Sequence, residues 1–401
     1  MQDASDSRVW RRRVFYIPGY DPIHPRRYRE LFRKEGKEQA RISGYELNLR
    51  PKQTSGAYGW HVDARIDETS VEADFDVLVW SDIVRDSMDQ GIIGTYLLLA
   101  RTAWTYISSG VLWRLMRLRK GPIIAALYPV GFLLLQLLLA LALAGVAAWG
   151  LSFIHPLAAI AGVIVIWPVL EWFRKRDNKF FAYYLMHDYA YSAQSNGANP
   201  PELEARIAEF VTTIREALKE DLDEVLVVGH SSGAHLGVNV LADLLRKGLP
   251  EGAAPLNFLS LGQVVPMVSF LPDADRLRRD LSFLSAQDEM AWVDVSAPGD
   301  GCAFALCDPV AVSGVSPTGK KWPLVLSAAF TQTLSPKKWR ELRWRFFRLH
   351  FQYMCAFDRP GDYDYFQISA GPRTLRERFH GRKASRSRIE TPVSPYVSTD
   401  A

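Results

Sequence analysis

Residues 225–238, VLVVGHSSGAHLGV, decide the fold class of this chain. The β-prone run Val225–Val228 leads directly into Gly229-His230-Ser231-Ser232-Gly233, and a helical pattern follows. A strand that ends at a Gly-x-Ser-x-Gly turn and continues as a helix holds the serine on a sharp bend above the sheet edge. The stretch therefore predicts either an exposed nucleophile or a tight glycine turn, and the rest of the chain has to distinguish the two.

Strand-like and helix-like patterns alternate on both sides of this stretch, which predicts a mostly parallel sheet with helices on both faces. Further strands are expected at 12–20, 43–50, 58–66, 75–84, 256–262, 291–297 and 343–349, and helices at 24–40, 200–220, 234–247, 273–286 and 336–344.

Two apolar runs interrupt this pattern and are long enough to suggest a membrane. Residues 123–150 contain no charged side chain, and a second apolar run covers 157–173. About 20 apolar helical residues cross a hydrocarbon core, so we expect spans at about 123–149 and 154–173. Basic residues precede the first run and follow the second, whereas the connection between them has none. The positive-inside tendency then predicts a transmembrane hairpin with both outer ends in the cytoplasm.

The hairpin predictions divide the chain into four parts. Residues 1–90 and 181–370 form one α/β domain, and 91–180 hold an interfacial amphipathic helix followed by the hairpin. The tail, 371–401, is basic and poor in aliphatic residues, which favours disorder. No apolar run suitable for a signal peptide precedes the first strand. We expect a multi-pass protein of the inner cell membrane whose α/β domain faces the cytoplasm.

Composition gives no support for several other classes of protein. The net charge of +4 gives no support for nucleic-acid binding. Three cysteines provide neither a disulfide framework nor paired metal-ligand spacing, so we expect no metal and no cofactor. The expected partner is the lipid bilayer, and small residues in the hairpin would permit oligomerisation by helix packing.

The chain resembles the α/β-hydrolase superfamily, in particular its lipase- and esterase-like serine hydrolases. The resemblance depends on the serine turn at 229–233, FYIPGYD at 15–21, SAPGDG at 296–301 and RLHFQYM at 348–354. It implies a Ser-His-Asp triad in which the acid and then the histidine follow the serine along the chain.

The histidine of such a triad is best assigned to His350. A serine hydroxyl needs a neighbouring base, and the base needs an acid that orients it. Of the histidines that follow Ser231, His235 lies one helical turn away with no room for an intervening acid, and His380 lies in the basic tail. His350 follows the predicted strand 343–349 and is the remaining candidate.

The acid has two candidates. Parallel sheets collect their active sites at the carboxyl ends of the strands, and Asp300 follows the strand 291–297 directly. Asp308 lies farther along the same loop and stays open as the alternative, whereas Asp294 falls in mid-strand. Asp300 is favoured by its place at the end of the strand.

An acyl-transfer intermediate also needs N–H donors for its oxyanion. One donor is expected from the amide of Ser232, the residue after the nucleophile. The resemblance implies that the second comes from the early loop YIPGYDP, where we choose the amide of Tyr20.

These residues together predict a membrane-anchored serine hydrolase that cleaves an ester or thioester, with a lipid-like acyl ester as the expected substrate. Two alternatives stay open at this point. An acyltransferase would use the same serine with another acceptor, and a non-catalytic hydrolase-like scaffold would organise partners at the membrane.

Overall fold

The fold is built on one eight-stranded sheet. The structure is a computed structural model that describes residues 8–52 and 56–400. The first residues of the predicted 1–90 part and the last residue of the tail therefore lie outside the described residues. The strands are β1 Arg11–Ile17, β2 Glu46–Pro51, β3 Gly59–Ile66, β4 Thr69–Val77, β5 Glu224–His230, β6 Leu256–Leu261, β7 Met290–Ser296 and β8 Leu324–Ser327.

Helices connect and cover these strands. The α-helices are α1 Arg26–Ser43, α2 Ser81–Met88, α3 Ile92–Ser108, α4 Val111–Leu115, α5 Lys120–Ser152, α6 Ile166–Arg174, α7 Asp177–Phe180, α8 Ala182–Ala193, α9 Pro201–Ala217, α10 Gly233–Arg246, α11 Pro266–Ser269, α12 Asp275–Ser285, α13 Pro309–Val312, α14 Phe330–Thr333, α15 Pro336–Leu342, α16 Phe346–His350, α17 Tyr365–Ala370 and α18 Leu375–Arg378. Three 3₁₀ segments cover Pro156–Val165, Gln194–Gly197 and Phe351–Met354.

The sheet is mixed, with the order β2-β3-β4-β1-β5-β6-β7-β8. The strands from β4 to β8 in this order run parallel, and β2 and β3 add an antiparallel edge. The predicted α/β class is thus confirmed. Because β1 pairs with both β4 and β5, the chain before and after the apolar runs forms a single sheet.

Both faces of the sheet are covered, which explains why most residues of the central strands are apolar. Strands β5, β6 and β7 are buried at every residue. Helices α1 and α17 contribute to the core on one face, and α9, α10 and α12 contribute to the core on the other. The carboxyl ends of β5 and β6 therefore form a rigid base for the loops that follow them.

Helix α5 and the segment Pro156–Arg174 are long and apolar enough to cross a membrane, by length and composition. Their mean hydropathies are 2.5 and 1.8, and most of both segments is exposed on the protein. They pack against each other where Gly162 lies beside α5: a Cβ on this glycine would be 2.7 Å from Ala148 Cβ. The close approach depends on small residues, because larger ones would separate the segments.

The region 91–120 differs from the single interfacial helix predicted for it. It forms α3 and α4, which meet at Gly110 in a left-handed conformation with φ of +73°. Trp104 and Trp113 are exposed as expected, but Tyr106 is buried and its hydroxyl donates to the Met267 carbonyl at 2.8 Å. One side of this region therefore belongs to the protein core.

Two strand predictions are wrong in their bounds or type. The expected strand 75–84 is the end of β4 followed by the start of α2, because the Trp80 indole N–H bonds to the Pro18 carbonyl and the chain turns there. The expected strand 343–349 is largely the helix α16, with Leu349 buried and its arginines exposed. The last strand along the chain is instead β8, which the sequence pattern did not indicate.

The tail also differs from the prediction, because residues 371–400 pack against the protein body. Thr374 and Glu377 form a capping box at the start of α18, and the Leu375 amide donates to Glu224 at 2.7 Å. Farther along, the Ile389 amide bonds to the Leu306 carbonyl at 2.7 Å. A few apolar residues, including buried Leu375 and Phe379, join the core although the segment as a whole is polar.

Candidate active site

The serine turn has a backbone geometry that requires glycine on both sides of the serine. Ser231 lies between β5 and α10 in a left-handed conformation with φ of +57°, which L-residues rarely adopt. A Cβ on Gly229 would lie 2.6 Å from the Gly233 carbonyl oxygen, and one on Gly233 would lie 2.1 Å from the Ile17 oxygen. Both glycines are therefore needed for the helix to leave the strand so sharply. The turn has the features of a nucleophile elbow.

His350 and Asp300 form a buried pair beside this turn. His350 ends α16, and its Nδ1 lies 2.7 Å from Asp300 Oδ2. Burial alone would raise the pKa of Asp300, but the charge of His350 and the hydrogen bonds to the carboxylate outweigh it, so the pKa lies below its usual value of 3.8. The carboxylate is consequently ionised at neutral pH and orients the imidazole.

Further contacts hold Asp300 in place. The Tyr353 hydroxyl donates to Oδ2 at 2.9 Å, and the Cys302 amide donates to Oδ1 at 2.9 Å. The Tyr353 hydroxyl in turn accepts from the Ala297 amide at 3.0 Å. Tyr353 was not predicted for the site, because its proximity to Asp300 depends on the packing of the segment after His350.

His230 holds the backbone of the catalytic histidine candidate. Its Nε2 lies 3.0 Å from the His350 carbonyl oxygen and must donate to it, and the two rings lie 4.7 Å apart. Burial, together with the charge of His350, lowers the pKa of His230 to about 3. His230 is therefore neutral at physiological pH and acts as a support, a role that only the tertiary structure reveals.

The end of β6 brings Ser231 and His350 together. The Ser231 amide donates to the Leu261 carbonyl at 2.9 Å, and a Cβ on the next residue, Gly262, would lie 3.2 Å from His350 Cε1. Within the described residues, neither Ser231 Oγ nor His350 Nε2 has a hydrogen-bond partner. In catalytic serine–histidine pairs this contact is often open before substrate binds, so the lack of a direct bond is compatible with such a pair.

The early loop lies directly against the serine. A Cβ on Gly19 would lie 3.0 Å from Ser231 Cβ. The amides of Tyr20 and Ser232 donate no hydrogen bond in the part of the chain that the structure describes. The Tyr20 carbonyl accepts from the Tyr184 hydroxyl, which fixes the loop. Two uncommitted amides beside a serine are what an oxyanion requires.

Asp308, the alternative acid, lies elsewhere. Its Oδ1 caps α13 by accepting from the amides of Val310 and Ala311 at 3.0 Å each, and Lys320 forms an ion pair with Oδ2. Asp294, in mid-strand, accepts from the Ser260 hydroxyl at 2.6 Å. Of the three acids considered from the sequence, Asp300 is the one that contacts His350.

Asp188 is a carboxyl group beside the site that the sequence did not indicate. It lies on α8, immediately after the apolar segments, and makes no hydrogen bond within the described residues. Burial raises its pKa to about 7, while the charge of His350 acts in the opposite direction. No local motif marks Asp188, because only the packing of α8 brings it near His350.

The site also contains three side chains of the kinds that bind metal ions. Ligand atoms of Asp300, Cys302 and His350 lie within 4.8 Å of one another. Asp300 and His350 are already bonded to each other, however, and burial, followed by the charge of Asp300, raises the pKa of the Cys302 thiol. Because a metal would need the thiolate, the arrangement fits proton transfer better than metal binding.

No family model, curated protein or solved structure matches the chain. Any functional conclusion therefore depends on the geometry of the site and on its position in the fold.

Proposed function

We propose that this protein is a membrane-anchored serine hydrolase of the α/β-hydrolase class, which cleaves a lipid-like ester or thioester. The observation that carries the proposal is the buried contact of 2.7 Å between His350 and Asp300, next to a serine on a left-handed strand-to-helix turn. The order Ser231, Asp300, His350 along the chain also agrees with that class.

In this mechanism Ser231 Oγ attacks the carbonyl carbon while its proton moves to His350 Nε2. The oxyanion accepts hydrogen bonds from the amides of Tyr20 and Ser232. Collapse of the intermediate expels the alcohol or thiol, which takes the proton from His350 and leaves an acyl-serine. Water then repeats the sequence and releases the carboxylic acid.

The beginning of α5 supports a substrate that comes from the bilayer. A Cβ on Gly121 would lie 3.2 Å from the Cα of Gly301, the residue after the catalytic acid. The neighbouring Arg119 donates to the Ala305 carbonyl at 2.8 Å. The loop that carries Asp300 therefore packs directly on the start of the apolar segment.

The chain after the second apolar segment packs against the other side of the site. Phe181 contacts Phe347, three residues before His350, at a ring distance of 4.8 Å. Tyr184 bonds to the Tyr20 carbonyl in the early loop. Both ends of the apolar pair thus lie against loops that carry catalytic groups, so a bilayer around this pair would place lipid close to Ser231.

The basic segment, residues 336–348, lies on the same side of the protein. In this segment Leu342 is buried and Phe347 is partly buried, whereas Trp344 and Phe346 are 72% and 48% exposed. Phe346 also packs near Gly301, beside the start of α5. Its cations are Lys337, Lys338, Arg340, Arg343, Arg345 and Arg348, against the single acid Glu341. Aromatic and basic side chains in this combination favour an anionic lipid surface.

We assign the apolar pair to a hairpin in the inner membrane, with the catalytic domain on the cytoplasmic face. The basic residues before α5 and after α6 and the absence of basic residues between the two segments favour this orientation.

Labelling with a fluorophosphonate tests the proposal. The full-length protein in detergent should be labelled at Ser231, because an activated serine attacks this reagent irreversibly. We expect loss of labelling in Ser231→Ala and His350→Ala, and retained labelling in Ser192→Ala as a control near the site. Absence of labelling in detergent and in native lipid, with the protein folded, would contradict the proposal.

A further inference from the structure

A cationic cavity lies beside the amino-terminal half of β7, apart from the candidate active site. It has a volume of about 500 Å³ and lies between β7, the residues before β8 and the folded tail. This volume is within the range of small-molecule sites, about 300–1,000 Å³. Ser231, Asp300 and His350 are not among the described residues that line it. The cationic cavity is therefore a second candidate site.

The walls of the cationic cavity carry an excess of positive charge. Among its described lining residues, Glu390 is the single acid, whereas five are lysine or arginine: Lys320, Lys321, Arg376, Arg382 and Arg388. The two lysines precede β8 and the three arginines belong to the tail. Like charges that two distant segments bring together repel each other, and an anion between them removes this repulsion.

Three of these cations are accessible to a ligand. Lys321 pairs with Asp288 and Arg382 pairs with Asp362, and the two acidic side chains are 81% and 70% exposed. Exposed ion pairs of this kind are weak, so an incoming anion can replace either acid. Arg376 donates to the Asp288 backbone carbonyl and forms no ion pair within the described residues.

The other two cations are held in place on opposite walls. Lys320 forms an ion pair with buried Asp308, and Arg388 pairs with Glu390 at 2.8 Å. The tail itself is fixed to the sheet, because the Ser385 amide donates to the carbonyl of Val325 in β8 at 2.8 Å. The walls of the cavity are thus part of the fold and exist before a ligand binds.

The floor of the cavity is apolar and aromatic. Phe379 is buried there, and Leu324 and Trp322 are partly buried. The Arg376 guanidinium lies 5.7 Å from the centre of the Trp322 ring. An apolar floor below a cationic rim matches a ligand whose carbon skeleton lies on the floor while its anionic groups bond to the rim.

The cationic cavity and the start of α5 lie toward different ends of β7. Ala291 and Val293, from the first four residues of the strand, line the cavity. Gly121 at the start of α5 lies against Gly301, which follows the carboxyl end of the strand. In the proposed arrangement α5 enters the bilayer, and this position favours a ligand from the aqueous phase over a lipid headgroup.

We infer that the cationic cavity binds a soluble organic anion of nucleotide size that carries two or more phosphate groups. Three accessible cations require several negative charges from one small ligand, and phosphate groups supply both the charges and the acceptor oxygens that guanidinium and ammonium groups bind. This ligand site goes beyond the proposed hydrolase activity and does not depend on it.

Isothermal titration calorimetry of the full-length protein in detergent tests the site with three probes. We expect ATP to bind at one saturable site and inorganic pyrophosphate to bind about tenfold more weakly, because pyrophosphate makes no contact with the apolar floor. Adenosine, which has no phosphate, should give no measurable binding. The affinity for ATP should fall as NaCl is added, since salt screens exposed charges.

Two variants connect the binding to the cavity. Lys321→Gln combined with Arg376→Gln removes two accessible cations, and Ala384→Glu adds an acid to the lining without removing a contact. Each should weaken ATP binding at least about tenfold. The use of both variants keeps the test valid if one of them fails to fold.

A matched pair of cations on α9 provides the control. Lys219 pairs with exposed Glu216, as Lys321 does with Asp288, and Arg215 donates to a backbone carbonyl, as Arg376 does. Neither belongs to the described lining of the cavity. Lys219→Gln combined with Arg215→Gln should therefore bind ATP with the affinity of the wild type.

The outcomes distinguish this site from its alternatives. Absence of saturable ATP binding, or equal affinity in the wild type and in both cavity variants, would overturn the site. Phosphatidylglycerol in the micelles supplies the lipid source of phosphate, and displacement of ATP by this lipid would overturn a soluble ligand. Fluorophosphonate labelling of the same samples reports separately on Ser231, so that failure of one proposal is not mistaken for failure of the other.

Discussion

Ser231 has a backbone conformation that an alanine or serine adopts only at a cost. Its φ is +57°, and the left-handed region costs an L-residue about 1–2 kcal/mol. Glycine avoids this cost, so Ser231→Gly should have a free energy of unfolding about 1 kcal/mol above that of Ser231→Ala. Thermal or denaturant unfolding in detergent measures the difference, and both variants should lack fluorophosphonate labelling.

The neighbouring serine supplies the control for this prediction. Ser232 has a helical φ of −62°, where glycine is disfavoured relative to alanine by about 0.5–1 kcal/mol. The order of stability of the two variants should therefore reverse between positions 231 and 232. The same order at both positions would show that the turn conformation is not the cause.

Asp294, which lies in the middle of β7, makes the stability of the protein depend on pH. Burial raises its pKa to about 7 from a usual value of 3.8, against the Ser260 hydrogen bond that lowers it. The folded protein binds the proton of Asp294 more tightly than the unfolded chain does. The contribution of Asp294 to the free energy of unfolding is therefore complete below about pH 4 and is lost as the pH rises to about 7.

Replacement of the Asp294 carboxyl should therefore reduce the pH dependence of the free energy of unfolding. We expect Asp294→Asn to lose less free energy of unfolding between pH 4 and 8 than the wild type, by on the order of 2 kcal/mol. Unfolding curves at several pH values measure this. Asp221→Asn, which changes an exposed carboxyl, is the control; an equal effect in both variants would refute the assignment to Asp294.

Among the individual elements, the basic segment 336–348 ends two residues before the catalytic histidine candidate His350, and we propose that it contacts the membrane. Removal of two cations and of the exposed indole by Arg343→Gln, Trp344→Ser and Arg345→Gln should weaken binding to an anionic surface. Each cation contributes about 1 kcal/mol near such a surface. We expect a loss of at least about tenfold in activity toward an ester embedded in anionic vesicles.

Changes in lipid composition and a substitution of another exposed tryptophan serve as controls for the predicted loss of membrane binding. The loss should shrink in vesicles without anionic lipid and at high salt, since salt screens exposed charges. Trp10 is 51% exposed in another part of the chain, so Trp10→Ser should retain activity in both kinds of vesicle. An equal loss with neutral vesicles would indicate a defect in the site and not in membrane binding.

At the scale of the whole molecule, the proposed orientation predicts which parts face each side of the membrane. The exposed His155 lies in the connection between the apolar segments, and exposed Lys179 follows the second one. In a chain whose three native cysteines are replaced by serine, His155→Cys should react with an impermeant maleimide in intact cells. Lys179→Cys should react only after the membrane is opened, and the reverse result would contradict the orientation.

The α/β class and the serine turn follow from local patterns in the sequence. Apolar β-prone runs alternate with amphipathic helical ones, and this pattern depends on neighbours in sequence, so the strands β1, β5, β6 and β7 could be predicted. The spacing Gly229-x-Ser231-x-Gly233 is equally local, since its glycines satisfy contacts within one strand-turn-helix unit. The order of residues also made Asp300 and His350 the favoured candidates.

The surroundings of Asp300 and His350 depend on contacts between distant parts of the chain. The distance between Asp300 and His350, and the supports from Tyr353 and His230, join segments that are 50 or more residues apart. Residues 343–349 contain alternating basic and aromatic residues like a strand, but Phe346–His350 form α16, and β8 Leu324–Ser327 is the strand that pairs with β7. Asp188 approaches the site only because the chain returns through α8 after the apolar segments. Packing between distant segments has no periodic signature in one sequence, and for this reason the supports of the site emerged only from the folded chain.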